Sequence, residues 1–149
     1  MNLDKFKLKN YTTEIPADKS IFETEQMLAA FGASAVMKQY LSDGKIYSMS
    51  FKLGEKGFKL PANVQGVYDV LYAGKKERHG KDNMKNRDEQ AYRVAWRIIR
   101  DWLHSQLSLI ASGQAQPDEI MMPYTYDGKQ TLYEAYKTGR LQLEAPKNE

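Results

Sequence analysis

The segment from Asn86 to Ala111 constrains this chain more than any other feature. Apolar residues recur along it with the helical period for about seven turns. A helix of that length must find cover for its apolar rows, so it sets the centre of any fold the chain adopts. Both tryptophans lie on it. Trp96 aligns with Tyr92, Ile99 and Leu103, and Trp102 with Val94, Ala95 and Ile98; both rows are expected to face inward. At about 100° per residue, Arg93, Arg97, Arg100 and His104 fall in a narrow strip on another face.

The rest of the chain supplies the cover. Phe6 to Ile15 alternates imperfectly and is expected to form a strand with a bulge at Asn10, ended by Pro16. Ser20 and Glu23 have the spacing of a capping box, predicting a helix over Ile21 to Phe31 that stops at Gly32 and buries Ile21, Leu28 and Phe31 around Thr24. Two strands, Ala35 to Leu41 and Lys45 to Leu53, are expected on either side of Ser42-Asp43-Gly44, where Asp-Gly favours a tight hairpin. In the second strand Tyr47, Met49, Phe51 and Leu53 share one face. Ser48, Ser50 and Lys52 share the other, which predicts a sheet buried on one side and solvated on the other. A turn over Gly54 to Gly57 leads to a short strand, Phe58 to Leu60.

A second helix is predicted over Asn63 to Tyr72, with Val64, Val67, Tyr68 and Leu71 at core spacing and Gly74 as its stop. Residues 75–87 lack apolar periodicity and carry six Lys or Arg against two acids, the pattern of a mobile basic loop. Asn86 and Glu89 suggest a cap for the long helix, which runs until Gly113. After it come a short turn at Pro117, an extended piece over Tyr124 to Tyr126, a turn at Asp127-Gly128 and a short helix over Leu132 to Lys137. The order β-α-β-β-β-α-α predicts one α+β domain over residues 1–140, with helices on one face of a small, mostly antiparallel sheet. Residues 141–149 are expected to form a disordered tail.

Composition narrows the chemistry. The net charge of +3 is modest, so an anionic partner must be met by local charge. There is no cysteine, which removes disulfides, thiolate metal sites and cysteine nucleophiles. Met1 to Lys7 has no apolar core of the kind a signal peptide needs, and no run reaches the roughly 18 apolar residues of a membrane span. A cytoplasmic protein with no membrane association is expected.

Arg93, Arg97, Arg100 and His104, with the loop cations Lys75, Lys76, Arg78, Lys81, Lys85 and Arg87, form the candidate anion-binding set. Arginine suits phosphate because its planar fork donates two parallel hydrogen bonds. The plainer alternative is that this strip is the solvated side of an amphipathic helix, braced by Glu89 and Arg93 at i,i+4. His79 and His104 have no companion at metal-ligand spacing. Asp118, Glu119 and Asp127, with Asp101 or Glu134, could gather round a magnesium ion, although first-turn acids after Pro117 complement a helix N-terminus anyway. No phosphate loop, dinucleotide fingerprint or nucleophile elbow is present. No cofactor is expected, and an enzyme is the lesser expectation.

The stretches TTEIPADKSIFETEQML, SFKLGEKGFKLPANVQGVYDVL and EQAYRVAWRIIRDWLHSQLSLIASGQAQPDEIMMPY resemble a group of small proteins of unknown function encoded by phages and integrated prophages. The likeness spans roughly residues 11 to 134. It implies action inside a bacterial host, in DNA replication, recombination or packaging or against a host factor, and transfers no catalytic residue. The leading expectation is a non-enzymatic protein that binds a polyanion, foremost nucleic acid. A module that binds an acidic host protein is the alternative, and a metal-dependent nuclease the third.

Overall fold

A computed structural model describes residues 3, 6–78, 80 and 82–139. The fold is α+β: these residues form a three-stranded antiparallel sheet and five helices, one of them very long. In order these are α1 (Ala17–Phe31), β1 (Ala35–Tyr40), β2 (Ile46–Leu53), β3 (Lys56–Lys59), α2 (Val64–Tyr72), α3 (Met84–Ala111), α4 (Pro117–Met121) and α5 (Leu132–Lys137). A single 3-10 turn, Met122–Tyr124, follows α4. The chain order is therefore α-β-β-β-α-α with two short helices appended. No helix among the described residues is long and apolar enough to cross a membrane.

The strand expected over Phe6 to Ile15 does not form. Residues 9–12 turn instead, and Asn10, where a bulge was expected, adopts φ of 63°. Among the described residues the segment has no strand beside it to complete a ladder. Its carbonyls at Tyr11 and Thr13 accept instead from the Gln90 side chain of α3, and Phe6 and Tyr11 stay exposed. The chain here is an arm laid on α3.

Helix α1 starts four residues earlier than expected, with Pro16 in the cap position and Ala17 as its first residue. Ser20 and Glu23 do not form a capping box. Ser20 is buried, its backbone carbonyl accepts from the Thr24 hydroxyl at 2.7 Å, and Glu23 points away to α3. Proline supplies this start because its ring presets helical φ and the missing N–H costs nothing at a helix end. Gly32, at φ of 108°, closes the helix as expected: Ala33 N–H reaches back to the Leu28 carbonyl and Gly32 N–H to that of Ala29.

The hairpins form with altered turns. Only Gly44 takes positive φ in the first, while Asp43 holds the turn by accepting from Lys45 N–H. Between β2 and β3 the turn is two residues, Gly54 and Glu55, because Leu53 pairs with Lys56. A bulge near Gln39 and Tyr40 skips Tyr47, which is left 42 % exposed instead of joining Met49 and Phe51 in the core. Ser48 and Ser50 are buried instead of solvated. Ser50 lies between Met37 and Lys59 on the flanking strands, so its short side chain sits at the bottom of a trough.

Helix α3 unites these pieces. Its row Tyr92, Trp96, Ile99 and Leu103 meets Ile21 and Leu28 of α1, Met49 and Phe51 of β2, Phe58 of β3 and Met121 of α4 in one cluster. Trp102 is only partly buried, with its ring edge-on to Tyr124. Both α1 and α2 pack on α3. Two buried polar handles lock helix to sheet: Tyr92 Oη accepts from Ile46 N–H at 2.9 Å, and Trp96 Nε1 donates to the Ile46 carbonyl at 3.1 Å. The two substitutions Tyr92→Phe and Trp96→Ala should therefore differ in kind. The first orphans one buried N–H and should cost about 1–3 kcal/mol; the second opens a cavity and should cost about 3–5 kcal/mol. Urea unfolding of both variants gives the comparison, and a neutral Tyr92→Phe would show that the helix-to-sheet bond contributes nothing.

Candidate anion-binding surface

The strip of arginines exists, but α1 lies against it. Arg97 and Arg100 share a single carboxylate oxygen of Glu23, each at 2.9 Å. Arg100 also donates to Asp101 at 3.1 Å, and Arg97 lies 3.9 Å from the same oxygen. The N-terminal arm completes the cluster, with Asn10 Nδ2 donating to Asp101 at 2.9 Å and Lys9 at 3.5 Å. Burial alone would raise the carboxyl of Glu23, but hydrogen bonds and charge from Arg97 and Arg100 outweigh it and hold the group below its ordinary 4.5. Asp101 behaves alike: burial raises it, while Asn10, Arg100, Arg97 and Lys9 bring it below 3.8. These two arginines bind the protein to itself.

Arg93 differs. Its Nε and Nη2 donate to the neutral Gln90 amide oxygen at 3.1 and 2.7 Å, with no carboxylate in the arrangement. The anticipated bond to Glu89 is absent, since Glu89 pairs with Lys45 at 3.1 Å. Among the described residues Arg93 thus has no direct ion pair.

The basic loop is shorter than its composition suggests. Helix α3 begins at Met84 with Asn83 as its cap, accepting from Asn86 N–H at 2.9 Å, so Lys85 and Arg87 belong to the first turn and not to the loop. Arg87 is buried to 5 % exposure. Its guanidinium holds Asp82 through two bonds, donates to the carbonyls of Lys75 and Lys76 and lies over the Tyr72 ring at 4.9 Å. With these partners Arg87 acts as the post on which the loop is wound. The direct bond from Arg87 holds Asp82 below its ordinary value.

Winding the loop around Arg87 places its exposed cations together. Lys75, Lys76 and Arg78 line a depression of about 480 Å³ with Leu71, Tyr72, Asp82 and Arg87. A second depression of about 600 Å³ shares Tyr72, Asp82 and Arg87, and adds Asn86, Glu89, Gln90 and Arg93. The two form one concave surface at the N-terminal end of α3. Lys85 and His104 are exposed, the latter far down the helix from the loop. Lys81 and His79 lie outside the described residues. Sequence periodicity alone could not find this surface, because it shows a residue's angle around α3 but not what packs there. The i,i+4 spacing of Arg97 and Asp101 is a legible sign of neutralisation.

The carboxylates considered for a metal are spread out and employed. Asp118 pairs with Lys56 at 3.1 Å, Glu119 accepts from Gln116 N–H, and Asp127 accepts from the N–H groups of Lys129 and Gln130. Among the described residues no three His, Asp or Glu side chains are grouped to hold a metal ion. No family model, curated protein or solved structure matches this chain significantly.

The Glu23 and Asp101 cluster gives stability a defined pH dependence. Both carboxyls have lowered values in the fold, so their contribution is complete above the ordinary 4.5 and 3.8 and is lost as pH falls through the lowered folded values. Glu23→Gln should reduce stability at neutral pH by about 1 kcal/mol, the scale for a partly exposed pair. Its stability should also decline less steeply than wild type from about pH 5 downward. Urea midpoints at neutral and acid pH measure both effects; parallel curves for the two proteins would refute the assignment.

Proposed function

We propose that this chain is a non-enzymatic protein that binds a polyanion, foremost nucleic acid, through the concave surface around Arg87. The supporting observation is the juxtaposition of Lys75, Lys76 and Arg78 in one depression with Arg93, unpaired among the described residues, in the next. The arginine strip contributes its first member only, since Arg97 and Arg100 are committed to Glu23 and Asp101. Long side chains at Lys75, Lys76 and Arg78, with Arg93 held by Gln90, suit phosphate tracking, which demands charge rather than base reading. The resemblance to phage and prophage proteins makes the DNA metabolism of a mobile element, inside a bacterial cell, the setting for this activity.

Anisotropy of a labelled oligonucleotide, titrated at about 50 and 200 mM salt, tests the reading. Binding should weaken steeply with salt, by a slope of about −0.7 to −0.9 per phosphate engaged. A quadruple variant, Lys75→Ala, Lys76→Ala, Arg78→Ala and Arg93→Ala, should lose at least about tenfold in affinity and flatten that slope. Arg97→Ala with Arg100→Ala should lower stability yet leave binding nearly unchanged. The converse pattern, or no binding by wild type at the lower salt, would count against the proposal.

One observation favours the rival reading of a protein–protein module. Strand β1 is an edge strand, and Met37 and Tyr40 on it and Leu41 just beyond it are each half-exposed or more. Recovery of a host protein from lysate after nuclease treatment, lost on changing these residues, would shift the assignment to that class.

A further inference from the structure

Arg93 stands between two depressions of opposite sign. It borders the one shared with Tyr72, Asp82 and Arg87, which adjoins the loop cations. It also borders a third, of about 340 Å³, whose lining includes the carboxylates of Glu14, Asp18, Asp43 and Glu89, with Lys45 as the other cation. A long cationic side chain that borders both is drawn to the carboxylates unless something holds it. Gln90 lines the depression beside Arg87 and not the acidic one, and Gln90 is the residue bonded to Arg93.

The hold has a chemical direction. Gln90 Oε1 accepts from Arg93 Nε at 3.1 Å and from Nη2 at 2.7 Å, filling one of the two forks that a guanidinium offers. Among the described residues Nη1 makes no bond, so the second fork, Nη1 with the remaining Nη2 hydrogen, is open. The acceptor is neutral, which orients the cation without cancelling its charge. The other end of the amide is fixed by the N-terminal arm: Gln90 Nε2 donates to the carbonyls of Tyr11 at 3.2 Å and Thr13 at 3.0 Å. A carbonyl only accepts and a guanidinium only donates, so the arm decides which end of the amide faces Arg93. The arm is itself tied to α3 farther along, where Asn10, at φ of 63°, donates to Asp101.

We infer that Gln90 and the N-terminal arm position Arg93 for the anion: the arm sets the amide, and the amide presents an open guanidinium fork to the basic depression. The inference rests on the reading that this surface binds a polyanion, and it gives an arm outside that surface a part in the binding. Gln90 and Asn10 are positioning residues, and both act through Arg93. With the amide removed, Arg93 is released toward Glu14, Asp18 and Glu89, and a phosphate must then draw it away from a carboxylate. Glutamate at position 90 has nearly the same shape but a different effect. Its charge pairs with Arg93, and its oxygens face the two arm carbonyls with no hydrogen to donate.

A double-mutant cycle on the full chain tests this, with the labelled oligonucleotide at low salt as the probe. Gln90→Met keeps the length of the side chain and removes its hydrogen bonds. It should weaken binding about two- to tenfold, the range for immobilising one long side chain on association. Gln90→Glu should weaken it at least as much. Asn10→Ala, which unties the arm and strains a left-handed turn, should act in the same direction. Neither Gln90→Met nor Asn10→Ala should change affinity once Arg93 is alanine, which separates positioning from a general loss of structure. A ligand-free readout accompanies the cycle. The Arg93 Nε–H, followed by heteronuclear NMR, should exchange with water faster in Gln90→Met and Asn10→Ala than in wild type. Unchanged affinity of Gln90→Met beside a wild type that binds, equal losses with and without Arg93, or equal exchange rates would each overturn this inference alone. Absence of binding by wild type would instead overturn the polyanion reading, and this role with it.

Discussion

The attachment of α3 to Ile46 is the interaction on which the rest of this structure depends. Strand β2 bulges so that Ile46 turns its backbone toward the helix, and Tyr92 and Trp96 satisfy its N–H and carbonyl. Burying two polar groups beside a bulge would be costly without partners. Aromatic side chains with a polar tip solve this, since they fill the core and bond at the same time. Once α3 is seated there, its other faces become the platform for α1, α2 and the N-terminal arm.

That seating decides the fate of each arginine on the helix. Glu23 descends from α1 between Arg97 and Arg100, so charges that could meet a ligand are used to bind helix to helix. Arg87 goes further inward, where its guanidinium holds Asp82 and two loop carbonyls. Arginine is suited to this work because its fork makes several directed bonds from one rigid plane. Internal use of these three leaves Lys75, Lys76, Arg78 and Arg93 gathered at one end of α3 instead of strung along it. The proposed surface is a by-product of the packing that removes the rest.

Much of the candidate surface was legible in its membership but not in its roles. Lys75, Lys76 and Arg78 are clustered in sequence and remain clustered in space, because a short loop cannot disperse them. Arg87 is indistinguishable from them by composition, yet the helix starts at Met84 and carries it beneath the loop. Glu23 was read as a local cap because Ser20 stands three residues before it. The helix instead begins at Ala17 behind a Pro16 cap, and a carboxylate in its second turn is free to reach a partner 74 residues away. Local patterns of this kind are degenerate: the same spacing serves a cap, a surface pair or a tertiary bridge.

Periodicity by itself determined the long helix, its inward tryptophan row, the three central strands and the α+β class. Each follows from backbone geometry, which repeats every 3.6 or two residues whatever lies beyond. Tertiary structure alone decided that residues 6–15 form an arm, that Tyr47 leaves the core while Ser48 and Ser50 enter it, and that two arginines are neutralised. Those outcomes depend on which surfaces meet, and a strand without a neighbour or a charge beside a distant acid changes role for reasons its own sequence window does not contain.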